Sequence, residues 1–316
     1  MQCQPRYRMH DHRLPEGRAS TSATLNGSGN PNGGSATGWF RYASSNPGAC
    51  NDTFGTRIPS TGGTALGSGT TSVPFAQGLS GLLPSTTYYY CALANNPYGT
   101  GYGAVLMFTT PPSVPTVTTS SPSNLTGGNA TLNGAATPNG TLASGWFRIA
   151  PSNPGTCNDA FGARVPDTGG SPLGSGYSPV GFSNTVTGLI AGQTYYYCAI
   201  ASNPAGTAFG SLRSFTQPRP PTVTTLAATP IAATTATLNA SSNPNGNSTT
   251  GWFRYATTSP GTCNDTFGTR APSTSGTSLG SGTSSVPFAQ PIAGLTPATT
   301  YYFCAIASSA YGTSLG

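Results

Sequence analysis

Side chains able to move protons, attack carbonyls or hold metals are scarce in this 316-residue chain, and they are unevenly placed. Both histidines, His10 and His12, and the only glutamate, Glu16, fall in the first sixteen residues, so no Ser, His and Asp triad is expected in the rest of the chain. Glycoside hydrolysis ordinarily takes two carboxylates flanking the bond. A recurring CND phrase supplies one each time, Asp52, Asp159 and Asp265, and only the middle copy adds another, the unrepeated Asp167. The chain is therefore read as a non-enzyme with no catalytic residue. Calcium would want several oxygen ligands, usually with more than one carboxylate, so the recurrent aspartates are expected to cap a turn or to pair with Arg57, Arg164 or Arg270. His10 and His12, with Cys3 nearby, are the one local gathering of metal-ligand types, and they are expected to lie in a disordered tail. No metal site and no cofactor is expected.

Six of the seven cysteines form three pairs of identical spacing: Cys50 with Cys91, Cys157 with Cys198, and Cys263 with Cys304, each 41 residues apart. Zinc ligands normally come two to four residues apart, and no histidine lies near these. The pairs read as one disulfide per unit, which implies an oxidising compartment and hence an extracellular or cell-surface setting; the alternative is reduced structural thiols. Closing a loop of this length stabilises a fold by roughly 4 kcal/mol in the chain-entropy model. The first twenty residues carry positive charge but no apolar segment of a secretory signal, and no stretch is long enough to span a membrane.

The elements that must position these residues come in three copies. Trp39, Trp146 and Trp252 recur at offsets of 107 and 106 residues, and GWFRYASSNPGACNDTFGTR (38–57) is matched by close variants at 145–164 and 251–270. Such repetition sets the domain count: a basic, disordered tail at 1–19 and domains at 20–110, 111–217 and 218–316. The PTVTT strand that precedes copies 2 and 3 has no counterpart before copy 1, and AVLMFTT (104–110) has none after copy 3. The first domain is expected to lack its first strand, the last domain its last, and the chain to start and stop inside a longer protein.

Charged residues make up 6% of the sequence, there is no lysine, and Arg6, Arg8, Arg13 and Arg18 crowd the beginning. A nucleic-acid face needs clustered cations, so none is expected. The 43 glycines and 29 prolines punctuate short strands and leave helical periodicity absent. In copy 1 period-two alternation predicts strands at 21–27, 37–43, SVPFAQGL, 86–94 and 104–110, with a Gly, Ser and Pro excursion holding Cys50. About seven strands in about 100 residues is the pattern of an immunoglobulin-like β-sandwich.

GLLPSTTYYY, echoed as GLIAGQTYYY and GLTPATTYYF, carries leucine, proline, threonine and tyrosine at alternate positions before an apolar strand. This resembles the tyrosine corner of fibronectin type III domains, and the ATLNG and NPNG phrases are similar to bacterial members of that family. The resemblance implies an all-β chain of three tandem fibronectin type III-like sandwiches, with Tyr88, Tyr195 and Tyr301 as the corner residues. If these face the core, Cys91 faces outward three positions later. Phe40 and Tyr42 then face in, with Trp39 and Arg41 out. The disulfide would pin the excursion across the outer face instead of joining the sheets, with Trp39 covered by Arg41 or Arg57. Ordinary family members lack that bridge.

Trp39 and the aromatics at the turn before the last strand, Tyr98, Tyr102, Phe209 and Tyr311, form the candidate ligand surface. The proline-rich linkers at 111–115 and 217–221 are expected to extend and stiffen the chain. The expectation is a monomeric rod, a secreted or surface spacer with a structural or adhesive role. The alternative is an array binding carbohydrate or protein, with extracellular polysaccharide or surface proteins as partners.

Overall fold

A computed structural model of the chain describes residues 15–316. Every element is a strand or turn, because β-branched and aromatic residues alternate with small polar ones between glycines and prolines. Among the described residues no helix is long and apolar enough to cross a membrane.

The first unit contains β1 (Glu16–Ala19), β2 (Ser22–Gly29), β3 (Ala36–Ala43), β4 (Thr56–Ile58), β5 (Thr64–Gly67), β6 (Val73–Ser80), β7 (Thr87–Asn96), β8 (Gly99–Tyr102) and β9 (Leu106–Thr109). The second repeats it as β10 (Thr116–Thr126), β11 (Asn129–Thr137), β12 (Ala143–Ala150), β13 (Ala163–Val165), β14 (Ser171–Gly174), β15 (Val180–Val186), β16 (Thr194–Asn203), β17 (Gly206–Phe209) and β18 (Arg213–Thr216). The third has β19 (Thr222–Leu226), β20 (Thr235–Asn243), β21 (Thr249–Ala256), β22 (Thr269–Ala271), β23 (Thr277–Gly280), β24 (Val286–Ala293), β25 (Tyr302–Ser309) and β26 (Gly312–Leu315).

Each unit is a sandwich of two antiparallel sheets. In the second, β10, β11 and β15 form one sheet, and β12 and β16 form the centre of the other, with β13 and β14 along one edge and β17 and β18 along the opposite edge. The same order holds in the first unit, and in the third without a partner equivalent to β18. Three tandem immunoglobulin-like sandwiches are thus present. The full unit has nine strands rather than seven because the pinned excursion holds two short strands and the last strand is broken in two.

Alternation builds the cores. In the first unit Leu25 and Phe75 from one sheet meet Phe40, Tyr88 and Tyr90 from the other, and Phe75 lies on Phe40 with ring centroids 4.8 Å apart. Gly38 makes this possible, since a Cβ there would stand 2.9 Å from the Phe75 ring. Phe108 of β9 then closes the lower core against Tyr88 at 5.7 Å and Tyr90 at 6.0 Å.

One feature of the ends differs from the sequence reading. Glu16–Ala19, placed there in the tail, pairs with β2 as a short edge strand, with Glu16 opposite Thr24 and Ala19 opposite Ser22, so it takes the place of β10 and supplies the first strand that the first domain was expected to lack. The remaining tail, including His10, His12 and Cys3, lies outside the described residues. In the third unit β25 starts at Tyr302, whereas β7 and β16 start at Thr87 and Thr194, the equivalents of Thr300. The sequence is almost the same, but among the described residues no strand pairs here as β9 and β18 pair with those residues in the other units.

Candidate functional site

The charged and aromatic residues repeated in all three copies meet on the outer face of the larger sheet. Phe40 is fully buried in the core, while its neighbours Trp39 and Arg41 point the other way, opposite Leu93 and Cys91 on β7. Cys50 is bonded to Cys91, and Cys157 and Cys263 are bonded likewise to Cys198 and Cys304. The bridge draws the excursion over this face, where Trp39, Cys91 and Leu93 pack with Cys50 and Phe54 in a cluster separate from the core. An equivalent cluster joins Trp146, Cys198 and Ile200 to Cys157 and Phe161.

Asp52 ties the loop to the sheet. Its Oδ1 accepts hydrogen bonds from Trp39 Nε1 at 3.0 Å and Arg41 Nε at 2.9 Å. The distances are 2.8 and 2.8 Å at Asp159, and 2.8 and 3.0 Å at Asp265. The neighbouring Asn51 caps the turn, its Oδ1 accepting from the amides of Thr53 and Phe54 at 2.9 Å. Gly55 follows at φ +52°, where any Cβ would collide with the Tyr42 carbonyl.

Arg57 lies over the Trp39 ring, 4.6 Å from its centroid, and donates to the carbonyls of Pro59 and Gly62. Arg164 and Arg270 repeat this over Trp146 and Trp252 at 4.6 and 4.7 Å. Two expectations are corrected here. Asp52, Asp159 and Asp265 pair with Arg41, Arg148 and Arg254 rather than with Arg57, Arg164 and Arg270, because the latter are drawn away over the indoles. Trp39 is only 7% exposed, so it offers no ligand surface.

Partial burial by itself would raise the Asp52 carboxyl, but the hydrogen bonds from Arg41 and Trp39 and the charges of Arg41 and Arg57 outweigh it and hold the group below its ordinary pKa. The same causes act on Asp159 through Arg148, Trp146 and Arg164. An ionised carboxylate surrounded by donors is a fixed acceptor, not a base poised to take a proton. Among the described residues no three His, Cys, Asp or Glu side chains gather as metal ligands.

The other candidate aromatics separate into two positions. Tyr98 and Tyr311 occupy the tight turn before β8 and β26, a position held by Ala205 in the second unit. Tyr98 is 77% exposed, and its ring borders Gly34 and Asn96; Tyr311 is half-buried. Tyr102 and Phe209 lie opposite Leu93 and Ile200 on the outer face, 50% and 46% exposed, and Leu315 takes this place opposite Ile306 in the third unit. No ring contact joins these residues to one another.

Tyr88, Tyr195 and Tyr301 each accept a hydrogen bond at the hydroxyl from the amide five residues upstream, that of Leu83, Ile190 and Thr296, at 2.9 to 3.0 Å. Two positions later, Tyr197 donates to the Ser120 carbonyl at 2.6 Å, and burial pushes its pKa up to about 12 against a small opposing effect of Arg213.

The junctions between units hold groups that the sequence reading missed. Tyr177 donates to the Pro84 carbonyl of the first unit at 2.7 Å and lies 2.9 Å from the Thr86 hydroxyl. Asn139 and Asn203 donate to the linker carbonyls of Val114 and Ser113, and Asn245 and Asn247 to those of Pro220 and Arg219. A signal was present: Tyr177 replaces the threonine found at the same place in the other copies, Thr70 and Thr283.

Strand order and the tyrosine corner define the class of protein: a tandem of immunoglobulin-like sandwiches of the kind the fibronectin type III resemblance implies. No family model matches the sequence, and no curated protein matches it. Among solved structures, the FN1-FN3 domains of chicken CNTN1 are similar at 12% identity and a TM-score of 0.36, over 95% of this chain and 93% of that one.

Proposed function

We propose that the chain is a non-catalytic spacer, a secreted or surface segment of a bacterial protein with a structural or adhesive role. The observation that carries this reading is the way the linkers are held. Each is short and proline-rich, and asparagines of the following unit bind its carbonyls. Tyr177 additionally reaches back to the first unit. Linkers fixed in this way favour a semi-rigid row of monomeric sandwiches over freely hinged beads. The disulfides suit an oxidising exterior, and the repeated polar residues on the outer face serve to hold the excursion down. Small-angle scattering of the whole chain tests this: the radius of gyration should be well above the roughly 20 Å of a compact globule of this length. A value near that figure would sink the rod.

A second reading, an array binding carbohydrate or surface protein, is favoured by one observation. Tyr102 and Phe209 stand half-exposed opposite Leu93 and Ile200 of the outer-face clusters, and an exposed aromatic ring offers a flat apolar face. Saturable binding to extracellular polysaccharide that disappears in Phe209→Ala would support it, and binding unchanged by that substitution would remove it.

A further inference from the structure

The second unit differs from its neighbours along one edge of its smaller sheet. β6, β15 and β24 are the same strand in the three units, since Phe75, Phe182 and Phe288 stand opposite Gly27, Gly134 and Ala240 in one register. Each pairs on one side, and among the described residues no strand pairs with the other side. Such an edge invites further pairing unless proline, charge or shortness blunts it. β6 carries Pro74, and β24 carries Pro287 and Pro291. In β15 the positions of Pro287 and Pro291 are held by Gly181 and Thr185, and the whole strand, Val-Gly-Phe-Ser-Asn-Thr-Val, has neither proline nor charge.

The prolines also show which backbone groups face outward. Proline has no N–H to give, so within a paired strand it stands where that group would point away from the partner. In antiparallel pairing the N–H and C=O of one residue point to the same side, and alternate residues share that side. Gly181, Ser183 and Thr185 therefore present their amides and carbonyls to the open edge of β15. Their side chains are exposed, whereas Phe182 between them is buried in the core. Among the described residues, no hydrogen bond outside the ladder with β11 reaches these three backbones.

We propose that β15 pairs antiparallel with β15 of a second copy of the chain, about a two-fold axis at Ser183. A second copy fits because the edge is its own complement. Turned about Ser183, Gly181 faces Thr185 and Thr185 faces Gly181, so the larger side chain meets the residue that has none. Three facing pairs result, each exchanging two hydrogen bonds, and the two smaller sheets continue as one. β10, β11 and β15 carry no charged side chain, so no like charges face one another across the joint. The contact uses the same patch on both copies and closes at two. The row of sandwiches, single when dilute, is then joined laterally to a second row at its middle unit, a partner that the spacer reading does not include.

Sedimentation velocity of the full chain over a dilution series tests this and should show a monomer–dimer equilibrium. Gly181→Pro combined with Thr185→Pro copies β24, and a Cβ at Gly181 meets no other atom. This variant should dimerise at least roughly tenfold more weakly, because only the Ser183 pair keeps its hydrogen bonds. Cross-linking reads the register, in a Cys3→Ser background that removes the seventh cysteine. Residues in a facing hydrogen-bonded pair have Cα atoms about 5.5 Å apart, within disulfide reach. Ser183→Cys should therefore form a disulfide between the two copies at position 183 on mild oxidation, mapped by mass spectrometry. Ser121→Cys, exposed on the far strand β10, should not. A monomer at every concentration, a dimer untouched by the two prolines, or cross-linking as ready at position 121 as at 183 would each overturn the proposal.

Discussion

The outer face and the lower core differ in how far they depend on the last strand of the unit. Between the second and third units the hydrogen bonds of the aspartate knot differ by 0.2 Å or less, and the arginine stays at 4.6 or 4.7 Å over the indole. On the other side of the same sheet, where the described residues of the third unit hold no equivalent of β18, a cleft lies open and the central strand is two residues shorter. The knot is local: its disulfide, ion pair and capped turn lie on the excursion and two central strands. The core is not, since its corner tyrosine needs an aromatic ring from a strand that comes last in the unit.

The largest effect that sharpens this contrast is removal of the bridge in the intact second unit. Replacing Cys157 and Cys198 by alanine should lower its stability by about 4 kcal/mol through the freed loop alone. Chemical unfolding followed by tryptophan emission would show it, because Trp146 sits directly beneath the bridge. A loss under about 1 kcal/mol, far below the usual range, would mean that the arginine and aspartate hold the excursion without the disulfide.

Next in size, Phe215→Ala should convert the second unit into a likeness of the third. Removing a buried phenylalanine costs about 3–5 kcal/mol, and the low end is expected because the site lies at a sheet edge. Hydrogen exchange at Thr194 and Tyr195 should rise toward that of Thr300 and Tyr301, while the Trp146 environment stays unchanged. A simultaneous change in tryptophan emission would break the claim that the two sides are independent.

The sandwich and the outward aim of Cys91 were legible because period two and threefold repetition each fix which face a residue occupies. The partner of Asp52 was not. Arg41 and Arg57 stand directly opposite one another on β3 and β4, a pairing within the excursion that spacing did not reveal. The choice depends on the loop's path, which takes Arg57 over Trp39. Tyr98 and Tyr102 flank one tight turn, and only the register separates an outward ring on β8 from one lying against Gly34. The late start of β25 could not be read from TTYYF, because the residues that decide it belong to a partner strand.

The smallest effect tests whether the knot is electrostatic at all. In Asp159 the folded pKa lies below the ordinary 3.8, so the folded state binds protons less readily than the unfolded chain. Its contribution is therefore complete above the ordinary value and is lost as pH falls through the folded one. Because the carboxylate is 40% exposed, solvent screening keeps the pair to about 0.2–1 kcal/mol. Asp159→Asn should cost about that much at pH 7 and nothing further at pH 2, since asparagine keeps an acceptor for the Trp146 indole but not the charge facing Arg148. The wild-type second unit should lose the same increment between pH 5 and pH 2, measured by urea unfolding at fixed ionic strength. If the variant kept the full acid sensitivity of the wild type, another group would be responsible, and the aspartate would act in the knot only as a neutral acceptor.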